Sequence, residues 1–297
     1  MDAQFMKEFE KVIQSYTDAV SRDRPEEARD AAMEALLMAG KEALKNPTSS
    51  LLLKEEAGNC EAKGDWTGAE AAYRKVLALE EASGNFGLIA KAHMDLCRLL
   101  RLRGRLDEAR QFALQAAEGA RRAPIFPVLV MALDLEACCA LDRGDSGAAL
   151  AAASEGFQVI EPGKIFDLMR AKALVTHARC SLASGDPATA DSDLATSWEL
   201  LQARVSALSP LLTLADWWEV KSQLEEQRGN VEPAREALTR AGGYLRQMQG
   251  PYARFAVARV LHESSRLSKQ AGDLLAAEQA SNEAEAIRND LRLLPSD

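Results

Sequence analysis

The sequence predicts an all-α solenoid of about seven stacked helical hairpins, and three observations carry that prediction. A glycine followed five residues later by an alanine recurs six times, at Gly64/Ala69, Gly104/Ala109, Gly144/Ala149, Gly185/Ala190, Gly229/Ala234 and Gly272/Ala277, with periods of 40, 40, 41, 44 and 43 residues. Spacings of this length mark supersecondary units that bury their apolar faces by stacking. A second break falls about midway between successive glycine turns, at Asn46-Pro47-Thr48, Ser83-Gly84-Asn85, Pro124 to Pro127, Pro162-Gly163, Ser209-Pro210 and Gly250-Pro251. No stretch shows the strict alternation of a half-buried strand, so no sheet is expected.

The expected hairpins run over about 3–45, 48–83, 87–122, 127–160, 166–206, 210–249 and 251–294, one continuous body spanning 1–297. The first is degenerate: Asp23 takes the glycine's place and Ala28 follows at the same distance. Its first helix carries Phe5, Phe9, Val12, Ile13 and Tyr16, and a second, from Pro25, carries Ala28, Ala31, Ala32, Ala35 and Leu36. In each later turn, glycine ends the first helix because it adopts positive φ without steric cost. The next residue is Asp65, Asp145, Asp186, Asn230 or Asp273 in five of six copies, a side chain able to accept a bond from an orphan N–H of the second helix, with Arg105 the exception. Acids such as Glu70, Asp107, Glu108 and Glu232 gather in the following turn, opposing the helix dipole. In the third hairpin, Ile89, Ala92, Leu96, Leu99 and Leu100 stripe the first helix, and Leu106, Ala109, Phe112, Ala113 and Ala116 stripe the second. The last helix, from about Leu274 to Leu294, has a polar side with Glu278, Asn282 and Glu285 that suits a solvent-facing cap.

Hydrophobic residues make up 47% of the 297 but aromatics only 5%, the composition of many thin helices rather than one thick core. A formal net charge of −9 argues against nucleic acid and against an anionic membrane surface. No apolar run reaches the length of a membrane span, and Met1-Asp2-Ala3-Gln4 does not open a signal peptide. Cys60, Cys97, Cys138, Cys139 and Cys180 all fall in first helices, an odd number without metal or disulfide spacing, and read as small buried residues of a protein in a reducing cytoplasm.

Seven residues before each turn glycine lie Ala57, Cys97, Ala137, Ala178, Ser222 and Ser265, all small, and the order Ala57, Gly64, Ala69, Tyr73 resembles the tetratricopeptide repeat family. The match covers nearly the whole chain, and each unit exceeds that family's usual length by about one helical turn per helix. The resemblance implies a right-handed superhelix and a non-catalytic scaffold that binds a protein or peptide in its concave groove. Longer units of this kind look like those of bacterial sensor and peptide-responsive regulators. No glycine loop ending in Gly-Lys-Ser or Gly-Lys-Thr and no dinucleotide fingerprint is present, so a stand-alone binding module of bacterial type is expected, with no cofactor and no metal.

Carried onto this chain, the groove is lined by Lys91, Met94, Arg98 and Arg101 of the third hairpin, and by Lys172, Val175 and Arg179 of the fifth. Asp216, Glu219, Gln223 and Glu226 follow from the sixth, and Arg259, His262, Arg266 and Lys269 from the seventh. Two basic stretches in an acidic protein suit an acidic segment or carboxylate of a partner; the alternative is that the acidic sixth hairpin pairs with them. Two further readings stay open, a sensor that closes around a peptide or metabolite, and self-assembly through open repeat ends or an exposed patch at Tyr252 and Phe255. Trp217 and Trp218 read as core, Trp66 as the cover of a helix end. His93, His177 and His262 lie in three different hairpins, and no convergent catalytic set is visible.

Overall fold

The computed structural model describes residues 3–22, 24, 27, 30, 31, 34, 50–122, 126–160, 167–202 and 211–291. Among them are thirteen α-helices and no strand. In chain order these are α1 (Ala3–Ser21), α2 (Ser50–Ala62), α3 (Trp66–Ser83), α4 (Phe86–Leu102), α5 (Leu106–Arg122), α6 (Phe126–Asp142) and α7 (Ser146–Gln158). They continue as α8 (Asp167–Ala183), α9 (Pro187–Gln202), α10 (Leu211–Gln227), α11 (Val231–Leu245), α12 (Pro251–Gln270) and α13 (Leu274–Asp290). Of the helix expected from Pro25 only residues 27, 30, 31 and 34 are described, all helical, and the breaks at Asn46 to Ser49, Pro124, Pro162-Gly163 and Ser209-Pro210 and the end of the chain at Leu293 and Leu294 lie outside the described residues.

All six turns are built alike. The glycine sits at positive φ, 69° at Gly64 and 80° at Gly272, and the N–H of the residue after it donates back to a carbonyl five positions earlier. Asp65 N–H bonds Cys60 and Asp273 N–H bonds Ser268, each at 2.8–2.9 Å, the Schellman closure that satisfies the orphan carbonyls of the first helix. The aspartates then cap the second helix. Asp65 accepts from Gly68 N–H at 2.9 Å, Asp145 from Ala148 at 3.0 Å, Asp186 from Thr189 at 3.0 Å and Asp273 from Ala276 at 3.1 Å. Asn230 departs from the expected cap. Its amide turns back and donates to Glu225 Oε2 at 2.8 Å, leaving its helix without a side-chain cap.

The repeated alanines explain the spacing between helices. Ala69, Ala109, Ala149, Ala190 and Ala234 have no solvent exposure, and the small residues opposite them, Ala57, Cys97, Ala137 and Ala178, have none either. At the last crossing Ser265 Oγ donates to the Ala277 carbonyl at 2.7 Å, a bond that only close backbones permit. Cys97, Cys139 and Cys180 are buried, and Cys97 Sγ lies 3.4 Å from Cys139 Sγ as a pair of free thiols.

The core is a chain of clusters rather than a single mass. One joins α4 to α8 through Met94, Leu100, Leu133 and a run of alanines from Ala109 to Ala153. A second joins α8, α9 and α10 through Val175, Leu194, Leu201, Trp217 and Leu224, and a third joins α10 to α13 through Leu238, Leu245, Val257 and Leu261. Trp217 Nε1 donates to the Leu194 carbonyl at 2.9 Å and its ring meets Trp198 at 4.7 Å, so it belongs to the core, with Trp218 packed at the edge.

A fourth cluster joins the two ends. Trp66, Ala69, Leu99 and Leu102 bury themselves with Leu291, and Tyr73, Tyr252, Phe255 and Ile287 pack around them. Trp66 Nε1 donates to the Leu291 carbonyl at 2.9 Å, and Tyr252 donates to Glu61 Oε1 at 2.5 Å. The six hairpins from α2 to α13 therefore curl until the last meets the first. Two expectations change. The hairpins of α2–α3 and α12–α13 meet instead of standing apart, and Tyr252 and Phe255 are half-buried in that contact instead of marking an exposed patch. Trp66 does cover a helix end, but that of α13, 225 residues away.

Candidate binding surface on the inner wall

First helices carry most of the buried residues and second helices show more of their length to solvent, as α8 beside α9 and α12 beside α13 show. The inner wall is thus built from α2, α4, α6, α8, α10 and α12. On it a ladder of ion pairs runs from repeat to repeat. Lys54 meets Asp95 at 3.5 Å, Arg101 meets Asp142 at 2.7 Å and Lys172 meets Asp134 at 2.9 Å. Arg179 meets Asp216 at 3.0 Å, Arg259 meets Glu219 at 2.8 Å and Arg266 meets Glu226 at 2.6 Å. Each partner lies about one repeat away because equal spacing puts equivalent helix positions side by side.

Burial sets the proton affinities along this ladder. Burial pushes the Asp134 carboxyl up, but the Lys172 ammonium and the Thr176 hydroxyl, 2.5 Å from Oδ1, outweigh it and hold the group below the usual aspartate range. At Glu219 burial wins over Arg259 and Arg179, and the carboxyl stays above its ordinary value.

A cavity of about 390 Å³ opens on this wall, lined by Arg101, Cys138, Leu141, Asp142, Arg179, Leu182, Ala183, Gln223, Glu226, Gln227 and Arg259. Eight of the fifteen groove candidates lie here or hold a residue that does: Arg101, Arg179, Gln223, Glu226 and Arg259 line it, while Asp216, Glu219 and Arg266 pair with Arg179, Arg259 and Glu226. Lys172 lies one step along the ladder, Arg98 pairs with Asp95 on its own helix at 3.4 Å, and Arg266 sits above Glu226. Lys91, His262 and Lys269 are exposed outside the cavity. Met94 and Val175, placed on the groove by helical spacing, are instead packed inside the wall at 2% and 1% exposure, because neighbouring first helices cover that shoulder. The fourth hairpin's Asp134, Cys138 and Asp142 were missed. Adding the 40-residue period to Met94, Arg98 and Arg101 lands on or next to each of them.

One cluster elsewhere has the order of a catalytic relay. His177 Nδ1 lies 2.6 Å from Asp193 Oδ2, and its Nε2 lies 3.2 Å from Ser154 Oγ. Ser154 stands inside α7, where backbone N–H groups are spent on the helix, so α7 itself offers no donor pair beside Ser154 to hold an oxyanion. Among the described residues, no group of three or more histidines, cysteines or acids could hold a metal ion, and no helix is long and apolar enough to cross a membrane.

No protein-family model and no curated protein matches the sequence. Solved structures do. The apo form of RapI matches 96% of this chain and 99% of its own, at 11% identity and a TM-score of 0.61. The Rap conjugation gene regulator of plasmid pLS20, solved in complex with a peptide, matches 97% of this chain and 76% of its own, at 12% identity and 0.61. A signal transduction ATPase with numerous domains and a tetratricopeptide repeat sensor, from Pyrococcus horikoshii, matches 74% of this chain and 34% of its own, at 12% identity and 0.51. The chain has the tetratricopeptide-type solenoid fold. Its polar ladder and its cavity lie on the side formed by first helices.

Proposed function

We propose that this solenoid is a non-catalytic scaffold whose inner wall binds a peptide or an extended segment of a partner protein. The observation that carries the reading is the cavity, to which first helices of five successive hairpins each contribute side chains. Its volume of about 390 Å³ suits a few residues of a peptide. The pLS20 regulator, solved with a peptide, supports a peptide as the class of partner. Arg101, Arg179 and Arg259 already hold carboxylates, so a partner's acidity adds little. Recognition comes instead from their remaining N–H edges and from the amides of Gln223 and Gln227. Ser154 without an oxyanion site supports the non-catalytic part. The free thiols of Cys97 and Cys139, 3.4 Å apart, suit a reducing cytoplasm.

The test fills the cavity without touching the ion pairs. Peptides selected from a random displayed library on the wild-type protein are titrated against Gln223→Trp and against Gln279→Trp on the outer helix α13, both exposed positions. Affinity should fall at least about tenfold for the first and stay unchanged for the second. Equal affinities for all three proteins, or no peptide selected, would overturn the inner-wall reading.

A further inference from the structure

We infer that the contact between the first and last hairpins of the closed array is a latch, the joint at which the ring opens to admit a partner to the inner wall. The consequence for binding rests on the inner-wall reading above; the latch itself does not. Every other joint in the ring lies between hairpins that follow one another in the chain; those from α4 onward pack in the first three clusters, and α3 packs on α4 through Ala69, Leu99 and Leu102 of the fourth. The joint between the ends has no chain running across it. Among the described residues it is made by the Trp66 side chain on the Leu291 carbonyl, the Tyr252 hydroxyl on Glu61, and the cluster in which Tyr73, Leu99 and Leu102 pack with Phe255 and Ile287.

The polar half of that joint carries an internal opposition. Glu61 is 6% exposed and stands at the end of α2, where burial raises its proton affinity against the lowering effect of two tyrosine hydroxyls, Tyr252 and Tyr73. Asp95 of α4 repels it and Arg98 of the same helix attracts it; Lys54 and Arg98 in turn hold Asp95. Among the described residues no cation pairs directly with Glu61, so closing the ring takes its carboxyl out of water with the Tyr252 and Tyr73 hydroxyls to replace the water. A buried carboxyl satisfied this way loosens a contact that the apolar cluster tightens. The joint is closed but held by groups that water replaces well when it parts.

Two substitutions move this balance in opposite directions. Tyr252→Phe removes the hydroxyl and leaves the carboxylate buried with one donor fewer, so the ring opens. Glu61→Gln keeps an acceptor for Tyr252 and removes both the buried charge and the repulsion from Asp95, so the ring stays closed. Spin labels at Lys63→Cys and Asn289→Cys, both exposed and flanking the joint, report the distance across it in a background with Cys60→Ser and Cys138→Ser. The wild type and Glu61→Gln should give one short distance at pH 7. Tyr252→Phe and Trp66→Phe should add a longer population amounting to at least about a tenth of the molecules. Thermal melts that keep the helical signal in each variant separate opening from misfolding. A wild type without the short distance, or four proteins with the same distribution, overturns the latch. Failure of the Gln223→Trp test with these distances as expected would remove the inner-wall reading and leave the latch standing.

Discussion

At the residue scale the fold rests on two rules, glycine at positive φ and alanine where helices cross. The alanine is the more exacting, because its neighbours come from the opposite helix and cannot retreat without parting the hairpin. Ala149 has no exposure and lies in the cluster that binds α6, α7 and α8. Ala149→Leu adds three carbons there and should cost about 2–3 kcal/mol by overpacking. Urea titration followed by circular dichroism checks this, and a loss under about 0.5 kcal/mol would mean that the crossing has slack. These residues were legible in the sequence because steric demand at a turn repeats identically in every unit. Asn230 shows the limit: asparagine both donates and accepts, and which of the two it does depended on Glu225, whose position the sequence pattern leaves open.

At the scale of elements, ion pairs between equivalent positions of neighbouring first helices decide the chemistry of the inner wall. The pairing of the sixth hairpin's acids with basic neighbours was legible as an alternative, and Arg179 does face Asp216, but the carboxylates of the fourth hairpin went unread, and only helix stacking shows that Lys172 faces Asp134. The Lys172 pair gives a pH-dependent prediction. Asp134 has its proton affinity lowered in the folded protein, so its contribution to stability is present above the unfolded aspartate range and is lost as pH falls through the folded value. Asp134→Asn leaves the Lys172 ammonium without its counter-charge while an acceptor remains for the Thr176 hydroxyl. A fully buried pair broken this way costs about 3–5 kcal/mol, and with the Lys172 side chain 31% exposed the cost here should be about 2 kcal/mol at pH 7. Stability curves of the two proteins should converge as the pH drops below the ordinary aspartate range. A gap independent of pH would assign the effect to packing and not to the charge.

For the whole molecule, closure changes how the array unfolds. In an open solenoid each repeat touches only its neighbours, and the terminal units, with one neighbour each, fray first. Here α2 and α3 meet α12 and α13 as well as α4, through Trp66, Tyr252 and Leu291. This contact was not legible in the sequence: no local pattern fixes how far each hairpin rotates against the next, and the small rotations sum over six units before the ends meet. The aromatic residues at both ends were visible, while their pairing was not. Closure should therefore raise the protection of both ends together. In hydrogen exchange followed by mass spectrometry, peptides spanning 57–75 and 252–291 should exchange at rates within about threefold of those spanning 90–120 in the wild type. In Tyr252→Phe both end segments should exchange faster by about tenfold or more, in step with each other, while 90–120 keeps its rate. End segments that already exchange much faster than the centre in the wild type would show the array behaving as an open stack. Acceleration of only one end would place the lost interaction within a single hairpin, since a contact shared by two ends protects both or neither.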